Sequence, residues 1–526
     1  MSNEYELCTV REYFDKKYYL SMYPDVVLHE VEPVFHYCEY GWREGRNPSA
    51  DFDTTFYLER YDDIRAAGIN PFYHYIVAGK SEGRVARDRS GALKHRLAHA
   101  RPQREVVKDW MIEVIPPAND AEEKAAALLI EGRPTVVSVS HDDYRVNFGG
   151  VQNVIADEQG ELSDEVNYIH LSPAQPLPKL SDEIDDFIFS VRINSAEAGR
   201  LDLDQSQRLL SRVVASQGAP RWIIHHLMGH SPEILTRLIG SQPSGKIFFW
   251  AHDFFAACES YALLRNDIAY CAGPPPDSMA CGICVHGRER GEHMARIRGL
   301  LDTLSPTIVA PSRAALRVWE RTTGCHFESV VVNPGELFVS AGEPRPEPRL
   351  PLRVGFIGTR SFHKGWVSFE DLALDLAGDR RYCFYAFSSE AEGAHGSQIE
   401  HVSVRVTPEN RNAMVDALLI HGIDVVVSWS IWPETYCFTV HEAIAAGAFI
   451  VARFGEGNVG DAIKQFASDC SVELSCDADL NHLFKSGKLV TIVRDSPRRY
   501  GALVPSMGTA DLIDTNPMAE LSEEVA

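Results

Sequence analysis

No run of eighteen apolar residues occurs in this chain of 526, so the sequence offers no membrane-spanning helix. Its first residues, MSNEYELCTVREYF, lack the basic and apolar regions of a secretory signal. Basic residues are outnumbered, 51 Lys and Arg against 74 Asp and Glu, for a formal net charge of −23. That balance argues against nucleic acid as the partner of the chain as a whole. The expectation is a cytoplasmic protein, at most peripheral at the inner face of a membrane, whose eleven cysteines are mostly reduced. The apolar and aromatic content is that of a globular protein, and the length suits three or four domains.

One stretch organises the rest: IDVVVSWSIWPETYCFTVHEAIAAGAFIVA, residues 423–452. The apolar run Ile423–Ser428 reads as a buried parallel strand, followed by a loop with Pro433 and Glu434. A short helix should end at Gly447, where a left-handed cap favours glycine, and Ala448–Ala452 reads as the next strand. Strand, helix and strand make one right-handed βαβ unit. Glu434 and, eight positions later, Glu442 then sit at the carboxyl end of the first strand, where open α/β sheets bind ligands. Helix N-termini there attract phosphate. Carboxylates beside a phosphate should face neutral hydroxyl groups, such as those of sugar and ribose. On spacing alone, two solvated or capping glutamates explain the pattern equally well.

PETYCFTVHEAIAAGAFIVA resembles the E-x7-E motif of retaining GT-B glycosyltransferases of the glycogen-synthase-like, family-four type. The resemblance implies an α/β chain with two Rossmann-like domains facing across a cleft. It implies that Glu434 holds the donor sugar and Glu442 the ribose of a UDP-, GDP- or dTDP-sugar, with Thr435, Tyr436, Cys437 and Phe438 in the loop beside the donor. Cys437 departs from the pattern, standing where many members have glycine, and its side chain would narrow the donor choice.

The first hundred residues contain a repeat. Phe14-Asp15, Tyr18-Tyr19-Leu20, Pro33, His36, Tyr37, Gly41, Gly45 and Arg46 return at an offset of 38 as Phe52-Asp53, Phe56-Tyr57-Leu58, Pro71, His74, Tyr75, Gly79, Gly83 and Arg84. Such a period marks a stacked supersecondary unit, here helix, turn and helix, with the aromatic positions as shared core. The recurring His36 and His74 favour a structural hydrogen bond over catalysis. Residues 1–90 therefore form a small, mainly α-helical module suited to self-association, partner docking or acceptor engagement; similar repeats accompany some bacterial glycosyltransferases. Residues 91–133 read as a charged linker, with basic patches near Lys94–Arg104 and a helix near Ala121–Ile130.

The first α/β domain spans 134–341. After the strand Thr135–Ser140, Gly149-Gly150 precedes a helix at Val151–Leu162; there the backbone can approach a ligand, and the resemblance places it near the diphosphate and acceptor. Further strands are expected at Phe187–Val191, Trp222–His225 and Lys246–Trp250. His225, His226 and His230 follow one strand, in a spacing without a supporting zinc partner. His252-Asp253 follows the next and looks like the family's HD pair. His252 is expected beside the reacting sugar, since imidazole can donate to a hydroxyl or phosphate oxygen near neutral pH, with Asp253 orienting it or the acceptor. Cys258, Cys271, Cys281 and Cys284 lie within residues 258–284 and end in C-x-x-C, so four thiolates on a structural zinc compete evenly with free or redox-active thiols. His286 and His293 are substitute ligands.

A proline-rich hinge, 342–351, leads to the second domain, 352–493. Its strand Arg353–Ile357 ends at Gly358, and the family's G-x-R…K-G pattern is met by Gly358, Arg360, Lys364 and Gly365. Retaining GT-B enzymes stabilise the leaving diphosphate without a metal, which assigns Arg360 and Lys364 to that charge. Further strands are expected at Tyr382–Phe387 and His401–Val406, with Thr407–Asn410 near the base. Residues 494–526 are a cross-over segment and acidic tail. The implied activity is retaining sugar transfer to a glycan or lipid-linked saccharide in bacterial surface polysaccharide synthesis. A sugar-nucleotide epimerase or hydrolase, or a non-catalytic docking partner, is the alternative.

Overall fold

In the computed structural model the described residues are 4–513, apart from 24, 27–30, 50–51, 88–90, 148, 345–349, 390–397 and 408. The first sheet comprises β1 (Thr135–Val139), β2 (Asn167–Pro173), β3 (Ile188–Ile193), β4 (Ala196–Asp202), β5 (Arg221–Ile224) and β6 (Ile247–Trp250). After a two-residue hairpin, β7 (Leu264–Arg265) and β8 (Ala269–Tyr270), it is completed by β9 (Thr307–Ala310) and β10 (Ser329–Val331). The order is β10-β9-β6-β5-β1-β2-β3-β4, parallel except at β3 and β4. The parallel strands are apolar along their length, as TVVSV, RWII and IFFW, because helices cover both faces. The β3–β4 hairpin turns through Asn194 and Ser195, both at positive φ. Its second strand, AEAGRLD, is half exposed; without an apolar run it has no periodicity that sequence reading would detect.

After β11 (Gly335–Val339) and β12 (Glu343–Pro344), a second, wholly parallel sheet comprises β13 (Leu352–Ile357), β14 (Tyr382–Ser388), β15 (Ile399–Ser403), β16 (Val425–Ser428), β17 (Phe449–Arg453) and β18 (Ser471–Leu474). Its order is β15-β14-β13-β16-β17-β18. Each sheet reverses its winding once, between β1 and β5 in the first and between β13 and β16 in the second. Crevices that can take a ligand open at the carboxyl ends of strands at those two points. The two sheets belong to Rossmann-like domains that face each other, a GT-B arrangement. The returning chain crosses back: β19 (Pro497–Arg498) pairs with β12 and β20 (Gly501–Pro505) with β11. Ala510 and Ile513 then enter the first domain's core beside Val154 and Ile155.

The amino-terminal region has its own aromatic core, including Tyr19, Tyr37, Phe52, Tyr57 and Phe72. Contacts recur at the repeat offset. Tyr19 Oη and His36 Nδ1 lie 2.9 Å apart, Tyr57 Oη and His74 Nδ1 3.0 Å. Asp15 and Asp53 each cap a helix, and Arg46 and Arg84 each pair with an Asp and a Glu. Arg87 ties this region to Glu370 and Asp371 of the second domain, at 3.1 and 2.9 Å. The segment that follows places the Arg96 guanidinium 4.6 Å from the Phe362 ring centroid. It then reaches the first domain through Arg104 and Glu289 at 2.8 Å. The expected helix at Ala121–Ile130 is shorter, Ala121–Ala126. The strand expected at His401–Val406 starts earlier, as β15. The acidic tail from 514 on and residues 345–349 of the hinge lie outside the described residues.

Candidate active site

β13 ends at Gly358, and the chain turns through a 3-10 segment, Phe362–Lys364, to Gly365. Gly365 has φ +85°, and a Cβ there would sit 2.1 Å from the Trp429 carbonyl oxygen. Only glycine lets this loop lie against the end of β16. The same closeness brings Lys364 to Glu434: Nζ donates to both carboxylate oxygens at 2.7 Å. Glu434 Oε1 also accepts from Ser430 Oγ at 2.5 Å and Trp432 Nε1 at 3.2 Å. Burial works to lower the Lys364 pKa, and the Glu434 carboxylate more than offsets it, holding the ammonium above its ordinary value. Glu434 Oε2 receives only Lys364 and keeps room for another donor.

Arg360 takes different partners. Its Nη1 lies 3.1 Å from His401 Nδ1, and its guanidinium stands over Trp366. Glu442 lies one turn inside the helix Phe438–Ala445. It is buried, and burial raises its carboxyl to about 7. No side chain caps the start of that helix. Cys437, the N-cap residue, donates its N–H to Asn458 Oδ1 at 3.2 Å. Its thiol, pushed up to about 11 by burial, lies 3.3 Å from Thr439 Oγ1. An uncapped helix start with a buried carboxylate one turn on suits a phosphate next to a hydroxyl-bearing ring.

Thr435 and Tyr436, expected beside the donor, carry hydroxyls directed to the other domain. Thr435 Oγ1 donates to the His252 carbonyl at 2.5 Å, and Tyr436 Oη to that of Gly335 at 2.7 Å. The half-buried Phe438 packs edge-on against Tyr436. Trp432 meets Phe254 and Tyr261 of the first domain edge-on, so the cleft floor is partly aromatic.

On the first domain, Gly149 is extended and Gly150 opens the helix Gly150–Leu162. Its first turn supplies Gln152, which donates to both oxygens of Asp142 at 3.0 and 2.8 Å. Burial raises the Asp142 pKa. Asp142 lines a polar cavity with His141, Asp143, His170 and Arg192; none of these five stood out in the sequence, where the consecutive His141-Asp142-Asp143 has no neighbour in the chain that joins it to His170 or Arg192. Asp253 is not the partner of His252. It pairs with His226, Nε2 to Oδ2 at 2.9 Å, while His226 Nδ1 accepts from the Met228 N–H. His252 stacks on Trp250, with centroids 4.6 Å apart, and its Nε2 lies 3.1 Å from His225 Nδ1. Burial holds its pKa well below the ordinary histidine value, so it is a neutral imidazole. His230 is buried, with Nε2 donating to the Ser140 carbonyl.

The four clustered cysteines do reach one small cavity, yet the zinc expectation is not met. Among the described residues no group of three or more His, Cys, Asp or Glu side chains is placed to hold a metal ion. The Arg290 guanidinium enters the cavity instead, with Nη1 3.1 Å from Cys281 Sγ, and a buried cation disfavours a second one. Burial raises Cys258 to about 12 and Cys271 as well. The substitute ligands are engaged elsewhere, His286 with Asp267 at 2.9 Å and His293 with the Phe255 carbonyl at 2.5 Å.

Solved structures match this chain at low identity. Sucrose-phosphate synthase of Thermosynechococcus elongatus aligns at 11% identity over 75% of this chain and 99% of its own, with a TM-score of 0.44. HepE of Anabaena, in complex with UDP-glucose, aligns at 12% over 69% and 93%, TM-score 0.40. WaaG, a glycosyltransferase involved in lipopolysaccharide biosynthesis, aligns at 12% over 74% and 99%, TM-score 0.39. No family model matches the chain, and no curated protein does. The roles of its residues therefore rest on its own geometry.

Proposed function

We propose that this protein transfers a sugar from a nucleoside-diphosphate sugar to a hydroxyl acceptor with retention of configuration. The observation that carries the reading is the Lys364–Glu434 pair at the β13/β16 crevice, beside an uncapped helix that buries Glu442. An ammonium has three protons; two go to Glu434, leaving one for a diphosphate oxygen. Glu434 Oε2 accepts a sugar hydroxyl and Glu442 the ribose diol. The helix start and Arg360 share the leaving charge, and Gly149-Gly150 approaches it from the other domain. The four residues Thr435–Phe438 fix the loop that carries these groups, Thr435 and Tyr436 by tying it to the first domain. The acceptor enters over the polar cavity of the first domain. Its proton passes to the departing phosphate on the same face of the sugar, so no enzyme nucleophile is needed. His252 donates to a hydroxyl of the reacting sugar. Closure of the domains excludes water.

In cells the acceptor would be a bacterial surface glycan or its lipid-linked precursor, met at the cytoplasmic face of the membrane. Among the described residues no helix is long and apolar enough to cross one. The repeat module would serve self-association or docking of a partner.

Titration calorimetry with UDP, GDP, dTDP and their sugar conjugates tests the donor site. One nucleotide should bind, and Glu442→Ala and Lys364→Ala should each weaken it tenfold or more. Binding of none, with both variants indistinguishable from the parent, would refute the reading. An epimerase or hydrolase shares the donor site; it would turn over the sugar nucleotide with no acceptor added.

A further inference from the structure

A chain of buried polar groups runs behind His252. Glu158, on the helix Gly150–Leu162, is fully buried. Its Oε2 accepts the Thr509 N–H at 3.2 Å, and the Thr509 hydroxyl donates to the same oxygen. Its Oε1 accepts the Tyr168 hydroxyl at 2.8 Å. His225 Nε2, buried and without a hydrogen-bond partner, lies 3.4 Å from Oε1. On the far side of that ring, His225 Nδ1 is 3.1 Å from His252 Nε2, the two rings being 12° from parallel.

Burial raises Glu158 to about 8 and lowers His225 to about 3. Near neutral pH this is a carboxylic acid beside a neutral imidazole. One arrangement of protons gives each of these groups a partner. Oε2 already takes two donors, so Oε1 carries the acid proton. The open acceptor within reach is His225 Nε2. His225 must then hold its own proton on Nδ1 and donate it to His252 Nε2, and His252 holds its proton on Nδ1.

We propose that Glu158 is a positioning residue which, through His225, fixes His252 in the tautomer protonated at Nδ1. The ring thereby keeps a donor on the nitrogen that His225 does not engage. Thr509 makes the returning chain part of this device: its hydroxyl also accepts from Trp250 Nε1 at 3.4 Å, and Trp250 is the ring on which His252 stacks. The catalytic consequence rests on the sugar-transfer reading; the tautomer does not.

The test is 15N NMR of the full chain with labelled histidine, His225 and His252 being assigned by single His→Asn substitutions. In the wild type both rings should show the Nδ1–H pattern. Glu158→Gln keeps a neutral donor and acceptor and should preserve it. Glu158→Leu removes both and should return His252 wholly or partly to Nε2–H. If that variant does not fold, His225→Phe breaks the same link and should give the same change. A wild-type His252 protonated at Nε2, or one unchanged at Nδ1 in the folded Leu or Phe variant, would overturn the proposal. With transfer established, Glu158→Leu should lower kcat tenfold or more with donor Kd within twofold of the parent, and Glu158→Gln should stay near the parent. An unchanged kcat in a Leu variant whose tautomer has changed would refute the catalytic part alone. If the wild type transfers no sugar, the functional reading fails while the tautomer result still decides this proposal.

Discussion

Glu434 accepts four hydrogen bonds, three of them on Oε1. Glu434→Gln would remove the charge that keeps Lys364 in place. We expect transfer to fall at least a hundredfold, read as kcat/KM, and stability to drop by about 2 kcal/mol, typical of a charged hydrogen bond, read by denaturant titration. Glu442 makes a pH prediction. Its carboxyl is raised to about 7 by burial, and in the proposed donor site the ionised form is the better acceptor for a ribose diol. Nucleotide affinity should therefore rise as pH increases through about 7, and in calorimetry between pH 6 and 8 Glu442→Gln should lose that component of the rise. Glu158 makes a stability prediction of opposite sense. Its folded pKa of about 8 exceeds the ordinary 4.5, so the folded state holds the proton more tightly. That stabilisation is complete below about 4.5 and is lost as pH rises to about 8. Buried histidines such as His225 and His170, lowered to about 3 and 4, act the other way and are finished above the ordinary histidine value. Between pH 7 and 8 the Glu158 contribution should thus emerge, with a slope of at most about 1.4 kcal/mol per pH unit. The difference in unfolding free energy between the wild type and Glu158→Gln would show it as a slope.

At the level of elements, the donor loop depends on glycine at two places of close approach. A Cβ at Gly365 would meet the Trp429 carbonyl at 2.1 Å, and one at Gly457 the Glu434 nitrogen at 2.5 Å. Gly365 also has positive φ, so Gly365→Ala combines a backbone clash with a strained dihedral. It should cost ~3 kcal/mol and move Lys364 away from Glu434, visible as a lower Tm and weaker nucleotide binding. The sequence made this loop recognisable because Gly358, Arg360, Lys364 and Gly365 are close neighbours in the chain. It concealed the pairing of Lys364 with Glu434, because seventy positions separate them and the sheet order decides that β13 lies beside β16.

For the molecule as a whole, the amino-terminal region and the segment after it touch both domains. Arg87 holds the second domain and Arg104 the first, while Arg96 covers Phe362 two positions before Lys364. Arg87→Glu would set a negative charge against Glu370 and Asp371. Limited proteolysis should then cut the 87–110 region at least several-fold faster, with the domains' own Tm changed by little; equal cleavage rates would show that this contact does not hold the module. The returning chain is a second tie, since β20 pairs with β11 and Ala510 packs in the first core.

What the sequence determined by itself is local. Apolar runs became parallel strands, Gly447 closed its helix at φ +73°, and the repeat at residues 14–84 carried its Tyr–His contact in both copies. Glu434 stands in the loop and Glu442 one turn inside the helix Phe438–Ala445, as their spacing suggested. Partnership across the chain was decided only by tertiary structure. Asp253, expected to orient its neighbour His252 or the acceptor, pairs with His226. Arg290, nine positions after Cys281, places its guanidinium against that thiol at the cavity the four cysteines line. Glu158, an unremarkable glutamate in a helix, acquired its raised pKa from burial, against the lowering effect of its hydrogen bonds from Tyr168 and Thr509. Spacing along a chain fixes contacts within a turn or a hairpin; contacts between elements depend on strand order, and burial sets their charge.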